Sequence, residues 1–307
     1  MQMLPGGDAI HLDHLAHFVP DLEATAAALE RMGFLPTPVA VQQNRTEHGM
    51  VPAGMANRCT MLRQGYLEFL TAVSDTELAR QFHKAIARYT GVHLVAMGVD
   101  RPDAAFDALQ QNGFAPTPPV NLTRPAPAPE GQEPPEARFT VIRVPPGTMP
   151  EGRIQILKHH TPDIVWQERF MAHPNAVVSL EAVLMIVVDA AATAARYGRF
   201  LNRQPETLGA GHSIVRFEHG CLVFVEPEAL AATQPAIEAE GPLPRIAAYC
   251  VGSADVAETE RVFRAGGLEG EVSGKVEKTW RLPSVLGGFM TVCPRDAGPT
   301  WSRPTAP

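Results

Sequence analysis

The sequence predicts an α+β fold made of four βαβββ modules, paired into two domains. Three observations predict it. A phrase of apolar strand, Asp- and Ala-rich helix and Gly or Asn turn occurs four times, from Leu12, Val92, Leu180 and Arg245. Each helix is followed by further strand-like segments. The 307 residues are enough for two ordinary domains, which suits four units taken two by two.

In the first unit a strand near Leu12 to Val19 leads through Pro20 and Asp21 into a helix ending at Gly33. Asp21 suits an N-cap and Gly33 a left-handed stop. Strands follow near Val39 to Gln42, Asn57 to Leu62 and Tyr66 to Thr71. The second unit repeats this from Val92, then carries a proline-crowded insertion from Ala115 to Ala137, read as a surface excursion outside any sheet interior. Its strands resume at Phe139 to Val144 and Arg153 to Leu157. In the third unit a strand at Leu180 to Val188 precedes a helix to about Asn202 and a hairpin at Ile214 to Glu218 and Cys221 to Val225. The fourth has a strand at Arg245 to Val251, a helix through Ala265, and strands near Lys278 to Leu282 and Phe289 to Val292. The domains are therefore expected at 8–160 and 177–295, with a connector at 161–176 and a loose tail at 296–307. Trp166, Arg169 and Phe170 in the connector read as a packing segment that docks the two halves or the subunits of a homodimer.

Composition excludes several classes. An apolar fraction of 45% and a charged fraction of 19% are those of a globular protein. The net charge of −7, with no basic cluster, gives nucleic acid nothing to bind. No apolar run is long enough for a membrane span, and the N-terminus lacks an export signal, so a cytoplasmic location is expected. The four cysteines are far apart and read as buried free thiols. Walker A, HExxH, GxSxG and dinucleotide fingerprints are missing from the sequence.

Superposing the first two units by their helix-opening aspartates places His14 and His93 each seven residues ahead of Asp21 and Asp100. Simple alternation puts His14 on a face with Leu12, Ala16 and Phe18, and His93 with Val95 and Met97. The last strands align Gly65-Tyr-Leu-Glu68 with Gly152-Arg-Ile-Gln155, so Glu68 and Gln155 are equivalent. A carboxylate or amide set between apolar neighbours on a sheet face needs a partner or a metal.

The wording LDHLAHFVPDLEATAAALERMGF, then GMANRCTML, then GYLEFL, resembles the bacterial glyoxalase-like domain proteins of the vicinal oxygen chelate superfamily. That superfamily includes glyoxalase I, extradiol dioxygenases and bleomycin-resistance proteins. The resemblance implies a divalent metal (Fe, Mn, Zn or Ni) held by His14, Glu68 and His93, with Glu68 also catalytic. It implies a small substrate chelated through vicinal oxygens, in lyase, isomerase or dioxygenase chemistry. Gln155 stands where glyoxalase I carries a carboxylate, and an amide is no general base. Gln155, His48, Asn57 and Arg58 are the expected substrate contacts. In the second half the positions matching His14 fall near Ala182 and Ile246, and those matching Glu68 near Val223 and Thr291, so that half is expected to hold no metal and to support the first or close over its pocket. The alternative is a metal-free small-molecule-binding protein of bleomycin-resistance type.

Overall fold

The computed structural model describes residues 9–46, 49–129, 131–272 and 277–304. Module one consists of β1 (Ile10–Phe18), α1 (Leu22–Arg31), β2 (Ala40–Thr46), β3 (Gly49–Met61) and β4 (Tyr66–Ala72). Helix α2 (Glu77–Arg88) leads to module two: β5 (Gly91–Val99), α3 (Pro102–Gln111), β6 (Val120–Pro125), β7 (Glu136–Arg143) and β8 (Arg153–His159). After the short α4 (Pro162–Val165) and a 3-10 turn at Glu168–Phe170 comes module three: β9 (Val177–Ile186), α5 (Ala190–Leu201), β10 (Pro205–Gly209), β11 (His212–Arg216) and β12 (Cys221–Val225). Helix α6 (Pro227–Thr233) joins it to module four: β13 (Arg245–Ser253), α7 (Val256–Ala265), β14 (Gly270–Val272), β15 (Lys278–Arg281) and β16 (Phe289–Pro294). Among the described residues no helix is long and apolar enough to cross a membrane.

The modules join in pairs. One sheet has the order β2-β3-β4-β1-β5-β8-β7-β6 and the other β10-β11-β12-β9-β13-β16-β15-β14. In each, the first strands of the two modules pair antiparallel at the centre. These central strands are buried along their whole length, with both faces covered, and so read as nearly continuous apolar runs.

The helices begin and end where local chemistry dictates. Asp21 accepts from the amides of Glu23 and Ala24 at the start of α1, and Gly33 follows its end with φ of +72°, a conformation that favours glycine. One apolar core holds Leu29 of α1, Leu109 of α3, Tyr197 of α5 and Phe263 of α7 together with β1, β5, β9 and β13 residues of both sheets. The helices and the back faces of both sheets share this core, and at its centre the two halves meet directly: the Leu12 amide donates to the His219 carbonyl at 2.8 Å, and His17 of β1 meets the Tyr249 hydroxyl of β13 at 3.3 Å. Each outer, concave face has its own core: Ala16, Phe18, Leu94 and Ala96 with Phe82 of α2 on the first sheet, and Ala182, Leu184, Ala248 and Cys250 with Leu230 of α6 on the second.

This layering corrects several expectations. The two concave faces point away from one another, so the second half supports the first and does not close over its pocket. The segment around Trp166 does not dock the halves. Trp166 packs edge-on against Tyr66 and His159, at 5.7 and 4.7 Å between ring centroids, and covers the first concave face. The tail is anchored, since Trp301 is buried and its indole donates to Thr291 Oγ1 at 3.2 Å. Part of the proline-rich insertion is a strand after all: β6 pairs with β7 at the sheet edge, where exposed backbone tolerates the flanking prolines.

Candidate functional site

Two β-bulges decide what faces the first concave cavity. In the β1–β5 ladder Leu12 pairs with Met97 and His14 with Ala96, so Asp13 is an extra residue. Ala16 pairs with Leu94 and His17 with Val92, so His93 is another. A bulge re-aims side chains and ends simple alternation. Leu12, Val95 and Met97 consequently lie in the helix-side core. His14 instead stacks on Tyr66 of the concave face at 4.4 Å.

The register also corrects the pairing of the histidines. Ala16 lies beside Glu68 and Ala96 beside Gln155, so these positions are equivalent, as expected for Glu68 and Gln155. His14 lies beside Tyr66, however, and the residue beside the matching Arg153 is Leu94. His93 is therefore the counterpart of Asp13, the other bulge residue. The seven-residue count slipped by one because α3 is capped by Arg101, not Asp100, with Pro102 opening the helix. The second half repeats the device: Glu181 and Ala247 are unpaired in the β9–β13 ladder, as is Val178 near its end. Ala247, rather than Ile246, faces the second cavity.

Asp13 is wholly buried and gathers imidazoles around it. His14 Nδ1 donates to Asp13 Oδ1 at 2.7 Å, and His159 Nε2 donates to Oδ2 at 3.0 Å. His11 Nε2 stands 3.6 Å away, in a space that exists because residue 98 is glycine: a Cβ there would come within 2.1 Å of that nitrogen. Burial alone would push the Asp13 carboxyl up, but the His159 charge, the nearby His11 imidazole and the hydrogen bonds from His14 and His159 together hold it well below the usual carboxylate range. The bond to Asp13 fixes the His14 tautomer and leaves its Nε2 lone pair free, 3.9 Å from Glu68 Oε2.

Glu68 is held from the other side, where Asn57 Nδ2 donates to its Oε1. The sheet curls enough to bring Arg124, on the edge strand β6, against the Cys59 thiol of β3, with Tyr66 and Glu68 also within range of its charge. Burial, reinforced by the Glu68 charge, pushes the Cys59 thiol up to about 12, so it is no nucleophile at neutral pH. Asp13 and Arg124 were missed in the sequence, and His159 reads there as a capping or solvated histidine beside the connector. The DH pair at 13–14 is a weak signal for the first, and Arg124 lay in the segment read as a surface excursion.

The remaining candidates lie elsewhere. His93 stacks between Phe18 and Tyr89, at 4.9 and 3.9 Å, and its Nε2 donates to the Tyr89 carbonyl at 2.8 Å. Burial pushes it down to about 4, so it is neutral. With Gln155 it lines a separate cavity that includes neither His14 nor Glu68. Arg58 points to the helix side of β3, bonding Glu23 at 2.7 Å and the Thr37 carbonyl at 3.1 Å, and is not a cavity residue. His48 lies outside the described residues. The histidines in and beside the connector, His173 and His160, are hydrogen-bonded. His173 donates to the Met61 carbonyl and accepts from the Leu35 amide, and His160 meets Thr140 Oγ1. His17 faces the second half, donating to the Leu286 carbonyl at 2.9 Å and meeting the Tyr249 hydroxyl of β13 at 3.3 Å.

The sequence profile of the glyoxalase-like domain family matches residues 12–201, more than half of the chain. The chain belongs to the glyoxalase-like domain family. Among solved structures, this glyoxalase-like chain is similar to a hypothetical protein from Staphylococcus aureus, with a TM-score of 0.63 and 10% identity, over 93% of this chain and 99% of that one. It is also similar to the Mn(II)-bound glyoxalase from Novosphingobium aromaticivorans, with a TM-score of 0.55 and 10% identity, over 97% and 86%. A 4-hydroxymandelate synthase mutant from Streptomyces coelicolor gives 0.52 at 14% identity, over 94% of both chains. These likenesses establish the shared fold. Comparison with curated protein sequences finds no match.

The donor set does not fit the three-ligand ion site expected for such a glyoxalase-like fold. Only His14 and Glu68 converge. Among the described residues, no three His, Cys, Asp or Glu side chains are arranged around a metal position. Tetrahedral donors that each lie about 2.0–2.2 Å from one ion are about 3.3–3.6 Å apart, so the 3.9 Å between His14 Nε2 and Glu68 Oε2 is slightly wide for a shared ion.

Proposed function

We propose that the first concave cavity is an active site for a small, oxygen-rich organic anion, in which His14 moves a proton and Arg124 and Asn57 help to hold the substrate. The observation that supports this most is the Asp13–His14 pair: a buried carboxylate fixes one imidazole tautomer and leaves the other nitrogen bare, beside Glu68. This is how a general base is oriented. The Arg124 guanidinium supplies the charge that an anion needs. Proton transfer next to a carbonyl is compatible with the lyase or isomerase chemistry of the superfamily.

The test is solvent-deuterium exchange into a panel of 2-hydroxy and 2-oxo acids, followed by NMR. The parent should exchange the carbon-bound proton of at least one acid, and His14→Gln should bind that acid without exchanging it. Binding without exchange across the whole panel overturns the enzymatic reading and leaves simple sequestration.

A second reading places a divalent cation on His14 Nε2 and Glu68. The Asp13 bond behind His14 favours it, because metal-ligating histidines commonly carry such a carboxylate. Elemental analysis of anaerobically purified and metal-reconstituted protein decides it. Near-stoichiometric metal in the parent and little in Glu68→Ala supports this reading, and an empty parent removes it.

A further inference from the structure

The cavity that takes in His93 and Gln155 has a volume of about 600 Å³ and a composition of its own. Arg143 and Gln155 face each other across β7 and β8, and Arg153 lies two residues before Gln155, on the same face of β8. No aspartate or glutamate lines the cavity. Among the described residues neither Arg143 nor Arg153 has a carboxylate partner, and Arg143 Nε is buried with nothing to bond. Beside them runs an aromatic wall. Arg153 lies over Phe82 at 5.7 Å, Phe82 stacks on Phe18 at 3.9 Å, and Phe18 stacks on His93.

Two half-buried guanidinium groups near one another are costly unless an anion lies between them. Burial lowers the proton affinity of both, and the Arg143 charge adds to this at Arg153. A phosphate or carboxylate would accept the five-donor forks of both arginines. An apolar or aromatic body attached to it would lie against Phe82 and Phe18. The neutral His93, donating through Nε2, keeps the Nδ1 lone pair for a ligand hydroxyl.

We propose that Arg143, Arg153 and Gln155 form a second binding site, on the same concave face as His14 but lined by neither His14 nor Glu68, for an organic anion that carries a phosphate or carboxylate on an apolar body. This proposal does not depend on the reading of the His14 site.

Isothermal titration calorimetry with phenyl phosphate, benzoate and inorganic phosphate tests it, using the parent, Arg143→Met, Arg153→Met, the double variant and Arg124→Met. The parent should bind phenyl phosphate or benzoate, and whichever binds more tightly identifies the head group. Inorganic phosphate should bind more weakly than phenyl phosphate. Each single Met variant should lose at least tenfold in affinity and the double variant all of it, while Arg124→Met binds like the parent. Methionine keeps most of the volume and removes an unpaired charge, so the double variant should melt at or above the parent's temperature. Unchanged binding in a folded double variant, loss of binding in Arg124→Met alone, or no binding by the parent at millimolar probe would each overturn the proposal.

Discussion

Replacing Asp13 should be among the most damaging single changes in the first half of the chain. Its carboxylate, with no exposure to solvent, accepts hydrogen bonds from His14 at 2.7 Å and His159 at 3.0 Å, with His11 close by. Hydrogen bonds to a charged group contribute about 1.5–3 kcal/mol each, so Asp13→Ala should lose about 3–5 kcal/mol. Asp13→Asn keeps the shape and one acceptor oxygen but turns an amide N–H towards a second N–H donor, and should lose about 2 kcal/mol. Urea denaturation with an unchanged m-value measures both. The pH dependence has a definite sign. A carboxyl whose folded pKa is lowered stabilises fully above its unfolded value of about 3.9, and that contribution disappears only as the pH falls through the folded value. The gap between parent and Asp13→Asn should therefore persist from pH 8 to pH 5. A loss below about 0.5 kcal/mol for Asp13→Ala, or a gap that closes by pH 5.5, would refute the view of Asp13 as a charged hub.

Two further outcomes follow from buried groups. Burial pushes His17 down to about 4, so its neutral form contributes fully above the unfolded value near 6.5 and its stabilisation is lost as the pH falls through 4. That amounts to ~3 kcal/mol. Parent protein should lose about that much more than His17→Phe between pH 7 and pH 4, read by denaturant titration at each pH. Trp301→Ala empties a buried site and leaves Thr291 Oγ1 without its indole donor. It should cost about 3–5 kcal/mol, and a change within 0.5 kcal/mol would mean that the tail is not anchored.

The fold was legible because its signal is redundant. Four copies of one strand-helix phrase locate the central strands, and Asp21, Asp189 and Asp255 each cap the helix that follows. Helices α2 and α6 were not read from the sequence. They lie outside the repeated phrase, and α2 carries its buried residues Ala79 and Phe82 among charged neighbours. The candidate site was legible only in part. Glu68 and Asn57 were found from apolar context and wording, and the structure joins them. The match of His14 with His93 was misleading, because a bulge adds one residue without leaving any mark in composition. Arg124 reaches the cavity only because the sheet curls, a property of the whole sheet that proline content in one segment does not reveal.

The core shared by the backs of the two sheets has a consequence for how the halves can diverge. Because each concave face has its own cluster on its own side of that core, substitutions that fill one cleft do not reach the lining of the other. Ala182, Val223, Ala247 and Trp301 fill the second face, while the first carries Glu68 and the Asp13–His14 pair. A duplicated architecture arranged in this way lets one copy drift into a structural abutment while the other stays under selection for chemistry. It also offers the filled face as a place where new binding could be introduced without disturbing Asp13 and its histidines.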